Sequence, residues 1–151
     1  MSDVLFKISY TLADIDKAAA DFWQALAGYR IFAFSGDLGA GKTTFIHHLC
    51  GLINVADTVS SPTFALINEY HYTAGGGDNI IYHLDWYRLK DDAEAISAGM
   101  EDCITEAERG AAKCFIEWPE KAKNLLRGPY LWISIESKSA TEREMTVTRV
   151  G

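Results

Sequence analysis

The stretch Ser35-Gly-Asp-Leu-Gly-Ala-Gly-Lys-Thr-Thr44 (SGDLGAGKTT, 35–44) decides the fold. Gly36, Gly41, Lys42 and Thr43 satisfy the pattern G-x-x-x-x-G-K-[ST]. Glycine at those places lets the backbone turn without a Cβ clash and aim successive N–H groups at phosphate oxygens. A helix starting at the lysine adds more N–H groups and the positive end of its dipole. The lysine ammonium reaches β- and γ-phosphates, and the threonine hydroxyl suits Mg²⁺. A glycine-rich surface turn with an incidental lysine is the competing reading; at average residue frequencies such a match arises about once in 200 chains of this length. Its flanks decide the matter. Ile31-Phe-Ala-Phe34 is a short apolar run, as in a strand buried on both faces, and Lys42 to Leu52 reads as a helix ending near Gly51. Nucleoside triphosphate is therefore expected along Asp37, Leu38, Gly39, Ala40, Gly41, Lys42, Thr43 and Thr44.

Outward from the loop, residues 4–9 alternate like a strand. Leu12 to Leu26 carries a three–four apolar spacing (Leu12, Ile15, Ala19, Phe22, Trp23, Leu26), with Thr11 as N-cap and Gly28 as stop. This pattern places Trp23 in the core. Strands at 64–72 and 79–85 flank TAGGGD, a flexible hairpin connection; 91–108 is acidic and weakly helical, broken at Gly99. Lys113 to Glu117 is a further apolar strand, Trp118-Pro119 leads into a helix at 120–126, and 130–136 with 143–149 form an antiparallel pair. Mixed strands and helices predict one domain, 1–151, with a three-layer α/β P-loop fold and a mixed parallel and antiparallel sheet.

Fourteen Lys and Arg against 21 Asp and Glu give a net charge of −7, which opposes direct grip on a nucleic-acid backbone. Three cysteines without CxxC spacing, Cys50, Cys103 and Cys114, fit a reduced chain whose thiols are small buried hydrophobes. No apolar run approaches the ~20 residues of a membrane span, and the N-terminus has no secretory pattern, so a cytoplasmic location is expected.

A P-loop enzyme also needs an acid at the end of a neighbouring strand. Asp85 follows IIYHL and Glu117 follows KCFI, and either could serve, since ligands of such sheets bind at the carboxyl ends of the strands. Thr63 in SSPTF lies where P-loop switches carry a γ-phosphate-sensing threonine, although a Ser-Ser-Pro turn needs no ligand. His47 and His48 point about 100° apart on a helix and make no metal pair. His71 and His83 could face each other across the hairpin, but nothing supplies a third ligand.

Taken together, GDLGAGKTT, SPTF, HLDWYRL (83–89) and FIEWPE (115–120) resemble the TsaE (YjeE) family from about residue 7 onward. The combination of H-x-D-x-Y-R-L with a later E-W is far more restrictive than the P-loop alone. The resemblance implies a small P-loop ATPase of tRNA threonylcarbamoyladenosine biosynthesis. It would be weak alone, would use Mg²⁺ and ATP/ADP, and would support repeated turnover of partner proteins TsaD and TsaB; contact with tRNA would then be indirect. By the same resemblance the functional positions are Lys42, Thr43, Thr63, Asp85, Glu117 and Trp118. Thr43 and Glu117 would hold the ion, Asp85 would orient water or couple the ion to a switch, and Thr11 would lie near adenine. Asp85 and Glu117 are interchangeable at this level. A small-molecule kinase would share the P-loop, but its arginine-rich lid has no counterpart among the scattered arginines. A non-hydrolytic nucleotide sensor is the third reading. The absence of an N-K-x-D motif favours ATP over GTP.

Overall fold

Short apolar strands meeting in parallel at the centre position everything else. A computed structural model describes residues 3–56 and 67–151. Its strands are β1 (Val4–Thr11), β2 (Ile31–Ser35), β3 (Ile67–Ala74), β4 (Gly77–Asp85), β5 (Lys113–Glu117), β6 (Tyr130–Ser137) and β7 (Glu142–Val150). They form one seven-stranded sheet in the order β1-β7-β6-β2-β5-β4-β3. β2 runs parallel to β5 and β6, and β4 runs parallel to β5. The outer pairs β1–β7, β6–β7 and β3–β4 are antiparallel. The mixed α/β sheet expected from the strand pattern is thus observed.

Alternation along the central strands divides the core between two faces. Phe32, Phe34 and Phe115 face one way, toward α1 (Ile15–Leu26) and α2 (Lys42–Leu52). Ile31, Ala33, Cys114 and Ile116 face the other way, toward α3 (Asp92–Ser97) and α4 (Met100–Glu108). On the first face Phe45 of α2 meets Phe22 of α1 edge-on at 5.2 Å, and Phe32 meets Phe115 in the same way at 5.2 Å. Fully burying one such ring stabilises the fold by about 1.5–3 kcal/mol. Phe45 therefore clamps the glycine-loop helix onto the sheet.

On the second face α4 buries Met100, Cys103, Ile104 and Ala107. That stripe at i, i+3, i+4 and i+7 underlies an acidic outer surface. All three cysteines are free and buried. Among the described residues, no helix is long and apolar enough to cross a membrane.

Several local expectations need correction. Leu12 does not join the apolar stripe: it is 69% exposed, on a 3-10 turn (Leu12–Asp14) that precedes α1. Asp14 accepts from the Thr11 backbone N–H at 2.5 Å and the Thr11 hydroxyl at 3.1 Å, which tightens the entry and delays the α-helix to Ile15. The far end of α1 is as expected: the helix stops at Leu26, with Ala27 as C-cap and Gly28 next.

The hairpin connection is tight rather than flexible. Ala74 pairs with Gly77 around a two-residue Gly75–Gly76 turn, braced by Asn79 Nδ2 donating to the carbonyls of Ala74 and Gly77. The start expected for its first strand, 64–66, lies outside the described residues. The helix expected at 120–126 is a 3-10 element, Pro119–Leu125, interrupted by non-helical backbone at Ala122. Trp23 is half-buried rather than fully core, and stacks on the buried Phe32 from the edge of that cluster. His71 and His83 do not face each other. His71 pairs with Ile80 and His83 with Asn68, a three-residue offset that sends them to opposite faces of the ribbon.

Candidate functional site

The carboxyl ends of β2, β4 and β5 lie side by side at one edge of the sheet. Register sets Phe34 opposite Glu117 and Glu117 opposite Asp85. The glycine loop leaves β2 at that edge and returns through α2. At Gly36 an added Cβ would stand 2.6 Å from the Ile135 carbonyl oxygen of β6, a backbone atom that cannot swing away. Gly41 caps α2 with φ of +100°, in the left-handed region where a side chain is strained. The first helical bond runs from Phe45 N–H to the Gly41 carbonyl, so the preceding N–H groups of α2 remain open at the loop mouth. No acidic residue occupies the first turn of α2, and the positive dipole end is not neutralised there.

Gly36→Ala is expected to distort the loop and remove phosphate binding, because the β6 carbonyl has no room to yield. A lowered Tm together with lost nucleotide binding checks this; an alanine variant that binds normally contradicts it.

Lys42 is 5% exposed. Its ammonium donates to the carbonyls of Gly36 and Asp37 and lies 4.1 Å from the centre of the Trp118 ring. Burial pushes its pKa down, opposed by the charges of Glu117, Glu120, Asp85 and Asp37. Trp118 holds this position with φ of +60°, uncommon for a bulky residue, and its ring leans on Tyr87 at 4.9 Å. Glu117 is 3% exposed and uses both carboxylate oxygens. Oε1 accepts the Thr43 hydroxyl at 2.7 Å, and Oε2 meets His83 Nε2 at 2.6 Å. Asp85 ends β4 and accepts the Tyr87 backbone N–H at 3.0 Å. Burial raises its pKa and Glu117 adds to the rise; the Tyr87 N–H, His83 and Lys42 oppose it.

Two cavities adjoin the loop. One, about 600 Å³, is lined by Tyr10, Thr11, Leu12, Gly39, Gly41, Thr44 and Arg143 among others. The Tyr10 hydroxyl is buried without a hydrogen-bond partner among the described residues, and burial pushes its pKa up to about 12. The second, about 610 Å³, lies between Gly36–Ala40 and the end of β6. Leu38 projects from the loop tip, 74% exposed.

Lys42, Thr43, Asp85, Glu117 and Trp118 therefore converge, and Thr11 shares a cavity with Thr44. Thr63 lies outside the described residues. Sequence reasoning missed Arg143, whose Nε donates to the Ala40 carbonyl at 3.0 Å from 103 positions away. No local signal marks that contact. It also missed the pairing of His83 with Glu117, although the His of H-x-D was in view.

Known proteins resemble this chain throughout. The family model described as threonylcarbamoyl adenosine biosynthesis protein TsaE matches residues 9–145. The tRNA threonylcarbamoyladenosine biosynthesis protein TsaE of Bacillus subtilis is 35% identical over 121 residues, 80% of this chain and 70% of that protein. Its namesake from Treponema pallidum is 32% identical over 117 residues, covering 78% and 80% respectively. That of Rickettsia bellii is 30% identical, covering 93% and 94%. The crystal structure of Bacillus subtilis YdiB superposes with a TM-score of 0.72 at 29% identity, covering all of this chain and 88% of the other.

Proposed function

The chain belongs to the TsaE family of threonylcarbamoyl adenosine biosynthesis proteins, and from that membership we propose that it binds ATP and ADP with Mg²⁺ and hydrolyses ATP to ADP and phosphate. Hydrolysis supports repeated turnover of a TsaB–TsaD complex in tRNA modification, and this protein meets tRNA only through that complex. The net charge of −7 agrees with this division of labour.

The observation that carries the reading is the Thr43–Glu117 hydrogen bond at the mouth of the glycine loop, with Lys42 and Asp85 beside it. Thr43 and Glu117 offer hard oxygen donors that fit Mg²⁺. Among the described residues no three His, Cys, Asp or Glu side chains cluster closely enough to hold a metal alone. An ion bound mainly by phosphate oxygens and water, with few protein ligands, suits such a site and is the habit of Mg²⁺. A hydroxyl that gives its proton to Glu117 keeps its lone pairs for the ion. Bound Mg²⁺ would supply positive charge at the β- and γ-phosphate oxygens.

The protein's own groups do the rest. Loop N–H groups and the α2 N-terminus hold the phosphate chain in place, with Lys42 countering the charge that grows on it. Asp85 orients the attacking water, and its raised proton affinity suits it to receive a proton. Thr63 senses the γ-phosphate, and Trp118 links Lys42 to the outer surface as a switch or partner contact. The cavity at Tyr10 and Thr11 takes the adenine.

Titration with a fluorescent ADP in the presence of Mg²⁺ tests the binding half of this reading. One saturable site competed by ATP and ADP is expected. A probe that neither binds nor is displaced would overturn it.

A further inference from the structure

Four side chains from four different elements form an unbroken hydrogen-bonded chain behind the loop. Tyr70 of β3 meets His83 of β4 through its hydroxyl at Nδ1, 2.9 Å away. His83 Nε2 meets Glu117 Oε2 of β5 at 2.6 Å, and Glu117 Oε1 accepts the Thr43 hydroxyl of α2 at 2.7 Å. His83 is wholly buried, and Tyr70 and Glu117 are nearly so.

The chemistry of the partners orders the chain. An ionised carboxylate only accepts, so Nε2 carries the proton toward Glu117. The bond between Nδ1 and the Tyr70 hydroxyl holds the plane of the ring from its other side. With Oε2 held in this way, rotation of the Glu117 carboxylate is blocked and Oε1 stays on Thr43.

We infer that His83 is a positioning residue for Glu117, set in place by Tyr70, and that it keeps the Thr43–Glu117 pair in the arrangement that receives Mg²⁺ with the nucleotide. This rests on the proposed role of that pair. A buried polar chain of this kind also has a plain packing value, and the two contributions separate experimentally. Packing contributes to stability alone, whereas positioning alters how strongly Mg²⁺ improves nucleotide binding.

The full-length protein is compared with His83→Leu, His83→Gln and Tyr70→Phe by calorimetric titration with ADP, with and without Mg²⁺, beside melting curves and ATP turnover. In His83→Leu the gain in ADP affinity on adding Mg²⁺ should shrink by about 10- to 100-fold, the range for loss of groups that orient metal ligands. Affinity for ADP without Mg²⁺ should hold. His83→Gln should recover most of the gain, because its amide N–H can reach the place of Nε2. Tyr70→Phe should fall between them. Nitrogen NMR of the wild-type ring should show a proton on Nε2.

A ring with no proton on Nε2, or an undiminished Mg²⁺ gain in folded His83→Leu, overturns the inference. So does an equal loss in the Gln and Leu variants that follows their melting temperatures. A wild type that shows the Mg²⁺ gain but releases no phosphate from ATP counts against the ATPase reading, while the titrations still decide the role of His83.

Discussion

Lys42→Ala is expected to lower kcat/KM for ATP hydrolysis by about 10²-fold or more, the scale for removing a charge-stabilising donor from a preorganised site. The reason lies in how the ammonium is held. The Gly36 and Asp37 carbonyls fix it from the loop side, and the Trp118 ring lies 4.1 Å from it. Burial alone disfavours its charge; carboxylates around it sustain that charge until an anion arrives. Phosphate oxygens would therefore find a desolvated cation already in position, where its field is stronger than in water. Lys42→Arg should not rescue activity. A longer, forked guanidinium does not place one compact charge where Lys42 Nζ sits against the two loop carbonyls. Steady-state kinetics on both variants, with circular dichroism to confirm the fold, provide the check. Arginine activity close to wild type would show that position matters less than charge.

Asp85→Asn should lose activity and gain stability. In the proposed role of orienting and deprotonating water, Asp85 should account for about 10²- to 10⁴-fold in rate. Its stability effect has the opposite sign because burial and Glu117 raise its folded pKa. Ionisation then disfavours the folded state. The penalty is complete above the folded pKa and vanishes below the unfolded value, about 3.9. Asparagine keeps an oxygen for the Tyr87 N–H and carries no charge. In chelator and without nucleotide, its Tm should exceed that of wild type at neutral pH, and the difference should close as the pH falls toward the unfolded value. A variant less stable than wild type at pH 7 would contradict this account.

Much of the site was legible because its parts obey local rules. The P-loop spacing, the apolar strand entering it and the helix leaving it all declare themselves within a few residues. Asp85 and Glu117 were legible as strand-ending acids, since parallel strands bring their carboxyl ends to one edge. Other features depend on contacts between distant segments. Arg143 braces the Ala40 carbonyl only because the sheet order carries the start of β7 to the loop. His83 reads as one more histidine on a hairpin until register sets β4 against β5 and turns it toward Glu117. Leu12 fits a helical stripe by spacing, yet Asp14 accepts hydrogen bonds from Thr11 and the stripe starts one turn later, at Ile15. The short 3-10 element after Trp118 was misread for a similar reason: proline marks a helical start but does not choose between α and 3-10 geometry.

Phosphate release from ATP with Mg²⁺, by the wild-type protein alone and together with TsaB and TsaD, is the most direct test, with Lys42→Ala as control. The account predicts slow release alone, faster release with the partners and neither in the variant. Equal release by Lys42→Ala, or none from the wild type even with both partners present, would contradict it.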